Sequence, residues 1–384
     1  MKVCIARNAE ARTNAAISRI ANALSQEVDE ICLLTRSRFK NGKKTIEIID
    51  YISNKRILHN HEIRIKSEPG KGITNIFQLL LFQALVLKWF LQNKDKYDVI
   101  HAFDLDVGLP AYFVSIFSKK KYIYHIADFY VDSRGGIPNV LKSFIRKLEH
   151  VIINKAQATI VCTEDRIKQI EGSNPKKLLV IHNSPSVSDE KRKLLLENYC
   201  INYDQQRIVL TYVGGLSERR FIKTAIDVIK KYPHVTLNLA GMGNVSEYAK
   251  IISNEYSNIN YFGMIDYVDA LELYSKSDIM FAIYDPKVPN HKYSAPNKVY
   301  EAMMLGKPII VAEGTGIDSI VKKNNNGLVI NYSEHDFENT IISILNGKIN
   351  LKELAENSKY AYEDYSWDQM RKRISKLYAE DIIL

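Results

Sequence analysis

Cysteine is scarce in this sequence, and the cysteines that occur form no pattern. Four are present among 384 residues, at Cys4, Cys32, Cys162 and Cys200, and no two of them form a CxxC pair. Disulfide-rich secreted proteins and zinc modules place their cysteines at short, paired spacings. The distribution excludes both classes and predicts reduced thiols in a cytoplasmic protein.

Uninterrupted apolar runs and a leader segment are lacking as well. After Met1 and Lys2 the first apolar stretch is too short for the core of a signal peptide, so none is predicted. The most apolar segment, residues 73–91, is interrupted by polar side chains. It predicts a helix that is either buried in the core or lies on a membrane with Lys88 and Trp89 at the interface. Core burial is the favoured alternative.

The remaining composition is typical of a soluble globular chain with two domains. The hydrophobic fraction of 46% and the charged fraction of 25% are ordinary values for such proteins. The 384 residues are more than twice the usual length of one domain, which is about 150 residues, so two domains are expected. Disordered, fibrous and polytopic membrane proteins are thereby excluded.

The charge is unbalanced towards basic residues. Lysine and arginine total 53 against 44 acidic residues, so the net charge is +9. This excess predicts an anionic partner, and basic runs lie at 40–44, 119–121 and 146–147. Because no aromatic residues alternate with these runs, nucleic acid is not predicted as a partner. An anionic membrane surface and a phosphorylated substrate are the remaining candidates. A solvated surface explains any single run equally well.

Short apolar runs alternate with helical patterns along both halves of the chain. This alternation predicts an α/β fold with doubly wound parallel sheets, that is, two Rossmann-like domains facing each other across a cleft. Predicted strands in the first half are 2–6, 30–34, 99–102, 122–125 and 158–162, and in the second half 208–213, 236–240, 259–262, 279–282, 308–311 and 327–330. The predicted domains are 1–185 and 207–366, with a linker at 186–206 and a C-terminal helix at 367–384 that packs back on the first domain.

A glycine turn follows the strand predicted at 208–213. Gly214 and Gly215 lead to a helix expected to begin at Ser217, followed by Arg219 and Arg220. A glycine turn before a helix can present backbone N–H groups to a phosphate, and arginines can add charge-assisted contacts. Taken alone the signal is weak, because Gly-Gly turns and exposed arginines are common.

A second glycine turn lies between the strand at 236–240 and the next helix. It contains Gly241 and Gly243, which would let a ligand approach the backbone closely. This turn is equally weak as a signal on its own.

The most informative segment is residues 293–308. Its pattern predicts a helix from Lys298 to Leu305, with Glu301 near the start. A carboxylate in this position can accept hydrogen bonds from two vicinal hydroxyls, as the acidic residue of dinucleotide folds does with ribose. Lys298, one turn earlier, can meet phosphate at the same site. The alternative for Glu301 is a favourable interaction with the helix dipole.

In order along the chain, these segments resemble the donor domain of GT-B glycosyltransferases, in particular the retaining family 4 group. The similar segments are YVGGLSERR, LAGMGN, YFGMIDYVDALELYSKSDI, SAPNKVYEAMMLGKPIIV and GTGIDSIVKKNNNGLVI, and in the first half YDVIHAFDLDVGLPA, YHIADFYVDS and ATIVCTEDR. The resemblance covers nearly the whole chain. It implies that 1–185 binds the acceptor and 207–366 binds the nucleotide-sugar donor.

The resemblance also implies roles for individual residues. Glu301 would hold the donor ribose and Arg220 the diphosphate. The other donor-binding positions it implies are Gly214, Gly215, Arg219, Gly241, Gly243, Ser294, Asn297 and Lys298. On the acceptor side His101, Asp104 and Asp128 are interpreted as polar residues of the reaction site, the alternative being a capping role for Asp104 and core packing for His101.

Four positions depart from the family pattern. Gly215 stands where a basic residue is usual, and Lys298 is expected to supply that charge. Tyr293 replaces the first of two paired glutamates, Ala127 precedes Asp128 where histidine is usual, and residues 14–16 replace a glycine pair.

The activity that the resemblance implies is transfer of a sugar, with retention, from a nucleotide-diphosphate sugar to a hydroxyl group. A UDP-sugar is the favoured donor, and the acceptor would be a saccharide or a polyprenyl-linked sugar in bacterial surface polysaccharide or capsule synthesis. No cofactor and no metal are expected, and the protein would be cytoplasmic or peripheral on the inner membrane face. Two alternatives are a sugar-nucleotide epimerase of the same architecture and a non-catalytic partner subunit.

Overall fold

The chain folds into two compact units, seen in a computed structural model that describes residues 1–12, 14–38, 46–53, 56–67, 75–134, 136–197 and 207–382. One unit comprises Met1–His182 together with Met370–Leu384, and the other comprises Asn183–Gln369. The basic run at 40–44 and most of the second half of the predicted linker lie outside the described residues.

The first unit is built on an eight-stranded sheet. Its strands, in chain order, are β1 (Lys2–Ala6), β2 (Glu30–Ser37), β3 (Ile46–Ser53), β4 (Arg56–Arg64), β5 (Val99–Phe103), β6 (Lys121–Ile126), β7 (Ala158–Val161) and β8 (Leu178–Val180). They lie in the order β3-β4-β2-β1-β5-β6-β7-β8, and every pair is parallel except β3 with β4. The central strands β5 and β7 are buried throughout, as expected of parallel strands covered by helices on both faces.

Helices of the first unit connect these strands. They are α1 (Ala15–Leu24), α2 (Ile76–Gln92), α3 (Asp104–Ser118), α4 (Tyr130–Ser133), α5 (Asn139–Lys155) and α6 (Asp165–Gln169). The chain returns to this unit from Met370 onward, where the hydroxyl of Tyr378 lies 2.7 Å from Nδ1 of the buried His101.

The second unit holds a six-stranded parallel sheet in the order 3-2-1-4-5-6, which is that of the Rossmann fold. Its strands are β9 (Ile208–Val213), β10 (Val235–Ala240), β11 (Ile259–Tyr261), β12 (Ile279–Ala282), β13 (Ile309–Ala312) and β14 (Gly327–Ile330). Its helices are α7 (Asp189–Glu197), α8 (Ile222–Ile229), α9 (Ser246–Glu255), α10 (Tyr267–Ser275), α11 (Asn297–Leu305), α12 (Ile317–Asn324), α13 (Glu334–Leu345) and α14 (Leu351–Tyr365), and α15 (Trp367–Lys376) leads back to the first unit.

The predicted alternation of strands and helices is confirmed, but three strands were missed. These are the hairpin strands β3 and β4 and the short strand β8. Strand β4 reads as polar because it carries Asn60, His61 and Glu62, all of which are buried. The side chain of Asn60 accepts a hydrogen bond from Thr35 on the neighbouring strand at 2.7 Å. Polar residues satisfied by such contacts can occupy a buried strand without an apolar signature.

The apolar segment predicted at 73–91 forms α2, which begins at Ile76. The membrane-interface position considered for Trp89 is wrong, because its ring is buried 4.7 Å from that of His61 and is stacked near Tyr97. The opposite side of the helix is not buried, since Phe77 is 78% exposed. Within the described part of the chain, no helix is long and apolar enough to cross a membrane.

Candidate functional site

The predicted glycine turn lies at the carboxyl end of β9, where ligands of open α/β sheets bind. Gly214 has a φ of +148°, which favours glycine, and its N–H donates to the carbonyl of Ala240 at 2.9 Å. The hydroxyl of Tyr212 donates to the carbonyl of Gly215 at 3.0 Å and fixes the turn from below. One prediction here is wrong: Phe221 adopts a positive φ, so α8 begins at Ile222 and not near Ser217.

Two cations converge on this turn because its glycines leave space for them. A Cβ on Gly214 would lie 2.8 Å from Nζ of Lys298, and a Cβ on Gly215 would lie 2.9 Å from a terminal nitrogen of Arg220. Any side chain at either position would therefore displace a cation. Lys298, which the sequence predicts to supply the charge that Gly215 lacks, lies beside Gly214, and Arg220 lies beside Gly215.

Lys298 is almost fully buried, with its ammonium 4.5 Å from the ring centre of Tyr212. Burial alone would lower the pKa of Lys298. The phenol oxygens of Tyr212 and Tyr284 and the carboxylate of Glu301 outweigh burial and raise it. Lys298 thus carries a full positive charge at neutral pH, held inside the protein next to the glycine turn.

Arg220 ends the short 3₁₀ turn Glu218–Arg220, and its guanidinium lies 5.5 Å from the ring centre of Tyr284. Burial opposes its charge, but Tyr284 and Tyr212 raise the pKa of Arg220 above its usual value. Arg219 differs because its side chain is exposed, while its backbone carbonyl accepts a hydrogen bond from Asp285 at 2.9 Å. Of the two predicted arginines, Arg220 therefore faces the site.

Glu301 lies one turn after Lys298 on α11 and is only 4% exposed. Burial raises the pKa of Tyr274, and the Glu301 carboxylate raises it further, which places Tyr274 close to that carboxylate. The hydroxyl of Tyr274 lies 3.0 Å from the backbone nitrogen and 3.1 Å from the carbonyl oxygen of Val213. Glu301 thus belongs to the same buried shell as the end of β9.

The segment before α11 holds two more predicted donor residues. The hydroxyl of Ser294 donates to the carbonyl of Thr315 at 3.1 Å. Asn297 is the first residue of α11, where backbone N–H groups have no partner within the helix. Tyr293, which stands in the place of a glutamate, ends a 3₁₀ turn beside Lys292.

Gly241 and Gly243 have a structural reason to be glycine. A Cβ on Gly241 would collide with the carbonyl oxygen of Gly214, and a Cβ on Gly243 would collide with that of Leu216. The N–H of Leu216 donates to the carbonyl of Met242 at 2.9 Å, so the two glycine turns interlock. Their immediate role is to hold the first glycine turn in place.

Tyr212, Tyr274 and Tyr284 are site residues that the sequence analysis missed. Tyr212 stands within the quoted YVGG segment and Tyr284 follows the strand end at 282, so their positions were visible. Their role was not, because aromatic residues at the end of a buried strand are usually core.

In the first unit, Asp104 stands at the carboxyl end of β5. It has a φ of +55°, and its Oδ1 accepts hydrogen bonds from the backbone nitrogens of Ala127 at 2.8 Å and Asp128 at 2.9 Å. Burial raises the pKa of Asp104 to about 6, although Arg7 opposes the shift. A strained residue with a perturbed carboxyl group is a candidate for function, and this combination goes beyond a helix cap.

Asp128 lies next to Asp104, and its side chain is 52% exposed and 3.6 Å from that of Arg166. Asp104 and Asp106 form an Asp-x-Asp sequence of the kind that can bind a metal ion. Asp106 is paired with Arg134 at 3.2 Å, so this sequence does not present two free carboxylates. No group of three metal-ligating acidic, histidine or cysteine side chains occurs in the described ranges.

The catalytic role predicted for His101 is corrected. Its ring is fully buried between Nδ1 of His125, at 3.0 Å, and the hydroxyl of Tyr378. Burial lowers the pKa of His101 to about 3, so it stays neutral. His101 therefore fastens the C-terminal segment to the sheet of the first unit.

Glu149 on α5 was not predicted as a site residue from the sequence, yet its environment strongly perturbs its carboxyl group. Its Oε1 accepts a hydrogen bond from the hydroxyl of Tyr124 at 2.7 Å, and its Oε2 is buried with no partner among the described residues. Burial raises the pKa of Glu149 to about 8. It is therefore largely protonated at neutral pH.

This protonation predicts a pH-dependent stability. Between pH 4.5, the usual pKa of a glutamate, and a pH of about 8, native Glu149 keeps a proton that the unfolded chain has lost. Its contribution to the free energy of unfolding therefore falls as pH rises through this window. We expect Glu149→Gln to gain stability relative to the wild type as pH rises from about 5 to about 8. Urea unfolding at both pH values measures this, with exposed Glu255→Gln as control. A difference independent of pH would contradict it.

Comparisons with known proteins agree with this architecture. Residues 201–379 match the family model described as "Glycosyl transferases group 1". The chain is 22% identical over 325 residues to the uncharacterized glycosyltransferase MJ1607 of Methanocaldococcus jannaschii, covering 78% of this chain and 80% of that protein. Sucrose-phosphate synthase from Thermosynechococcus elongatus has a similar structure, with a TM-score of 0.73 and 16% identity over 99% of both chains. Anabaena HepE, solved with UDP and glucose, has a TM-score of 0.66 and 16% identity over 99% of this chain and 100% of that chain.

The two parallel sheets and these structural neighbours define a protein of the GT-B fold. The family match, which lies largely on the unit with the glycine turn, supports a glycosyltransferase of group 1.

Proposed function

We propose that this protein transfers a sugar from a UDP-sugar to a hydroxyl group, with retention of the anomeric configuration. The observation that carries the proposal is the convergence of Lys298 and Arg220 on the Gly214–Gly215 turn. A buried ammonium and a half-buried guanidinium beside a glycine turn suit a diphosphate, whose charge grows as the glycosidic bond breaks. Glu301, in the same shell, is proposed to accept hydrogen bonds from the ribose hydroxyls.

The base is proposed to be uracil because HepE, a protein of the same fold, was solved with UDP. Lys298 and Arg220 supply positive charge with which a metal ion would otherwise neutralise the diphosphate, so we propose transfer without a metal. The departing diphosphate stays on the side from which the acceptor attacks. Its oxygen can therefore take the acceptor's proton, and no covalent intermediate on the enzyme is needed.

The acceptor is proposed to be a saccharide or a polyprenyl-linked sugar used for bacterial surface polysaccharide, bound at the first unit. Asp104 and Asp128 are the groups proposed to contact it. The raised pKa of Asp104, about 6, lets it exchange a proton near neutral pH.

Calorimetric titration with UDP, GDP and ADP in the presence of EDTA tests the donor site. We expect UDP to bind at least about tenfold more tightly than the others, a difference of about 1.4 kcal/mol. Equal affinity for all three, or binding that requires a divalent cation, would overturn this part of the proposal.

NMR of the reaction with UDP-glucose tests the activity. A transferase releases UDP slowly without acceptor and forms an α-linked product from the α-linked donor when acceptor is present. Conversion of the UDP-sugar into its epimer would identify an epimerase, and UDP binding without any turnover would identify a non-catalytic subunit.

A further inference from the structure

Three helices of the first unit lie side by side, with α2 packed against α3 and α3 packed against α5. Their outward sides carry large apolar side chains that remain in solvent. The most exposed are Phe77 (78%), Leu80 (55%), Ile116 (53%), Phe117 (73%), Val140 (86%) and Phe144 (63%). We call this surface the α2–α3–α5 face.

The exposed residues follow helical periodicity, so they form stripes and not isolated points. On α5, Val140, Phe144, Lys147 and Val151 are all exposed at spacings of four, three and four residues, which places them along one side of the helix. The opposite side of α5 holds the buried Ile152 and Ile153. Each stripe is therefore the second apolar side of a helix whose first side already packs in the core.

Exposed charge on this face has one sign. The described residues of α2, α3 and α5 include three carboxyl groups, and Glu149 is fully buried while Asp106 is 6% exposed and paired with Arg134. Asp104 lies at the inner end of α3, bonded to backbone nitrogens. By contrast Lys88, Lys147 and Lys155 on the helices, and Lys119 just after α3, are exposed.

The structure also refines the basic run at 119–121. Nζ of Lys120 donates to the carbonyl of Tyr97 at 2.6 Å, and Nζ of Lys121 donates to that of Ile382 at 2.8 Å. Lys119, in contrast, is exposed, and its φ of +56° ends α3. Lys119 thus follows the exposed Phe117 by two residues and adds an exposed positive charge at the end of α3.

We propose that the α2–α3–α5 face docks on an anionic lipid bilayer. Exposed phenylalanines at helical spacing, framed by lysines and without exposed carboxylates, match the surface that binds the headgroup region of such membranes. Large exposed apolar patches are rare on protein surfaces and mark sites that bind a protein or a membrane. The proposal extends the proposed function by giving a lipid-linked acceptor a surface on which the enzyme can meet it.

Flotation of the full-length protein with vesicles tests the docking. We expect it to float with phosphatidylcholine–phosphatidylglycerol vesicles at low salt, to be released as salt is raised, and to bind pure phosphatidylcholine at least about tenfold more weakly. Phe117→Ser and Phe144→Ser should each weaken partitioning about tenfold. Lys119→Glu and Lys147→Glu should each weaken it at least about fivefold.

Controls come from equally exposed apolar residues of the second unit. Met264→Ser and Tyr360→Ser, each at a residue 72% exposed, should float as the wild type does. Equal binding to both vesicle types, no effect of the four face variants, or equal effects of the controls would overturn the proposal. So would self-association in analytical ultracentrifugation that Phe117→Ser abolishes, because a second copy would then cover the face.

UDP binding separates this proposal from the proposed function. The face variants should retain wild-type affinity for UDP, since none lies in the second unit. A protein that floats but does not bind UDP would retain the docking surface and lose the donor site, whereas one that binds UDP without floating would do the reverse.

Discussion

Replacing Arg220 with alanine is expected to lower kcat by about 100- to 1,000-fold while changing the dissociation constant of UDP-sugar only slightly. The guanidinium lies against Gly215 and Tyr284, where it is proposed to meet a diphosphate that gains negative charge as the sugar departs. An interaction that strengthens in the transition state appears in kcat, not in ground-state binding. Steady-state kinetics with UDP-glucose, together with calorimetry, measure the two quantities separately.

Arg219→Ala is the matched control, since its side chain is exposed and its backbone carbonyl accepts a hydrogen bond from the backbone nitrogen of Asp285. We expect activity within about twofold of the wild type, as for an ordinary surface substitution. An Arg220→Ala variant with normal kcat and a raised KM would instead show that Arg220 binds ground state and transition state alike.

Most of the fold could be predicted from the sequence because every strand pair except β3 with β4 is parallel. Strands covered on two faces become continuous apolar runs, and these runs stand out between helices in β1, β5 and β9. The missed hairpin strands lie at one edge of the first sheet, where β4 pairs polar residues through hydrogen bonds. The second strand from that edge, β4, has no apolar period to detect, because its buried polar residues are satisfied by hydrogen bonds.

The charged residues of the proposed donor site could also be predicted from the sequence. Glycines, arginine, lysine and glutamate follow the predicted strand ends in order along the chain. What could not be seen was how a buried lysine remains charged. Tyr212 and Tyr284 raise the pKa of Lys298 although they stand 86 and 14 positions before it in the chain, and only the fold brings the three side chains together. The prediction for His101 was wrong for a related reason. The residues around His101 in the sequence do not show that the distant Tyr378 contacts its ring.

The exposed stripes on α2, α3 and α5 show a further limit of sequence patterns. An apolar residue in a helix predicts burial, yet Phe117 and Phe144 lie on the far side from the sheet. The buried residues Val114 and Ile152 already fill the core side of those helices. Apolar residues on both sides of a helix signal two partners, and the fold identifies only the first.

Replacing Glu301 with alanine is expected to abolish detectable transfer while the chain stays folded. The Glu301 carboxylate is proposed to bind the ribose, so its loss should weaken binding of uridine and of UDP by the same factor, about 10- to 100-fold. That is about 1.5–3 kcal/mol for hydrogen bonds to a charged group. Glu301→Gln should retain more affinity, because an amide oxygen still accepts one hydroxyl. Calorimetry with both ligands measures the factors, and circular dichroism checks the fold.

The comparison with uridine is decisive because Glu301 also stands one turn from Lys298 and helps to raise its pKa. If Glu301 acts only by holding that ammonium in place, Glu301→Ala will weaken UDP binding and leave uridine unaffected, since uridine has no phosphate. Arg220→Ala supplies the reference for that pattern, because free UDP carries a negative charge that the UDP-sugar lacks, so this variant should weaken binding of UDP and leave uridine unaffected. Equal losses for uridine and UDP in Glu301→Ala, beside no loss for uridine in Arg220→Ala, would assign the carboxylate to the ribose and the guanidinium to the diphosphate.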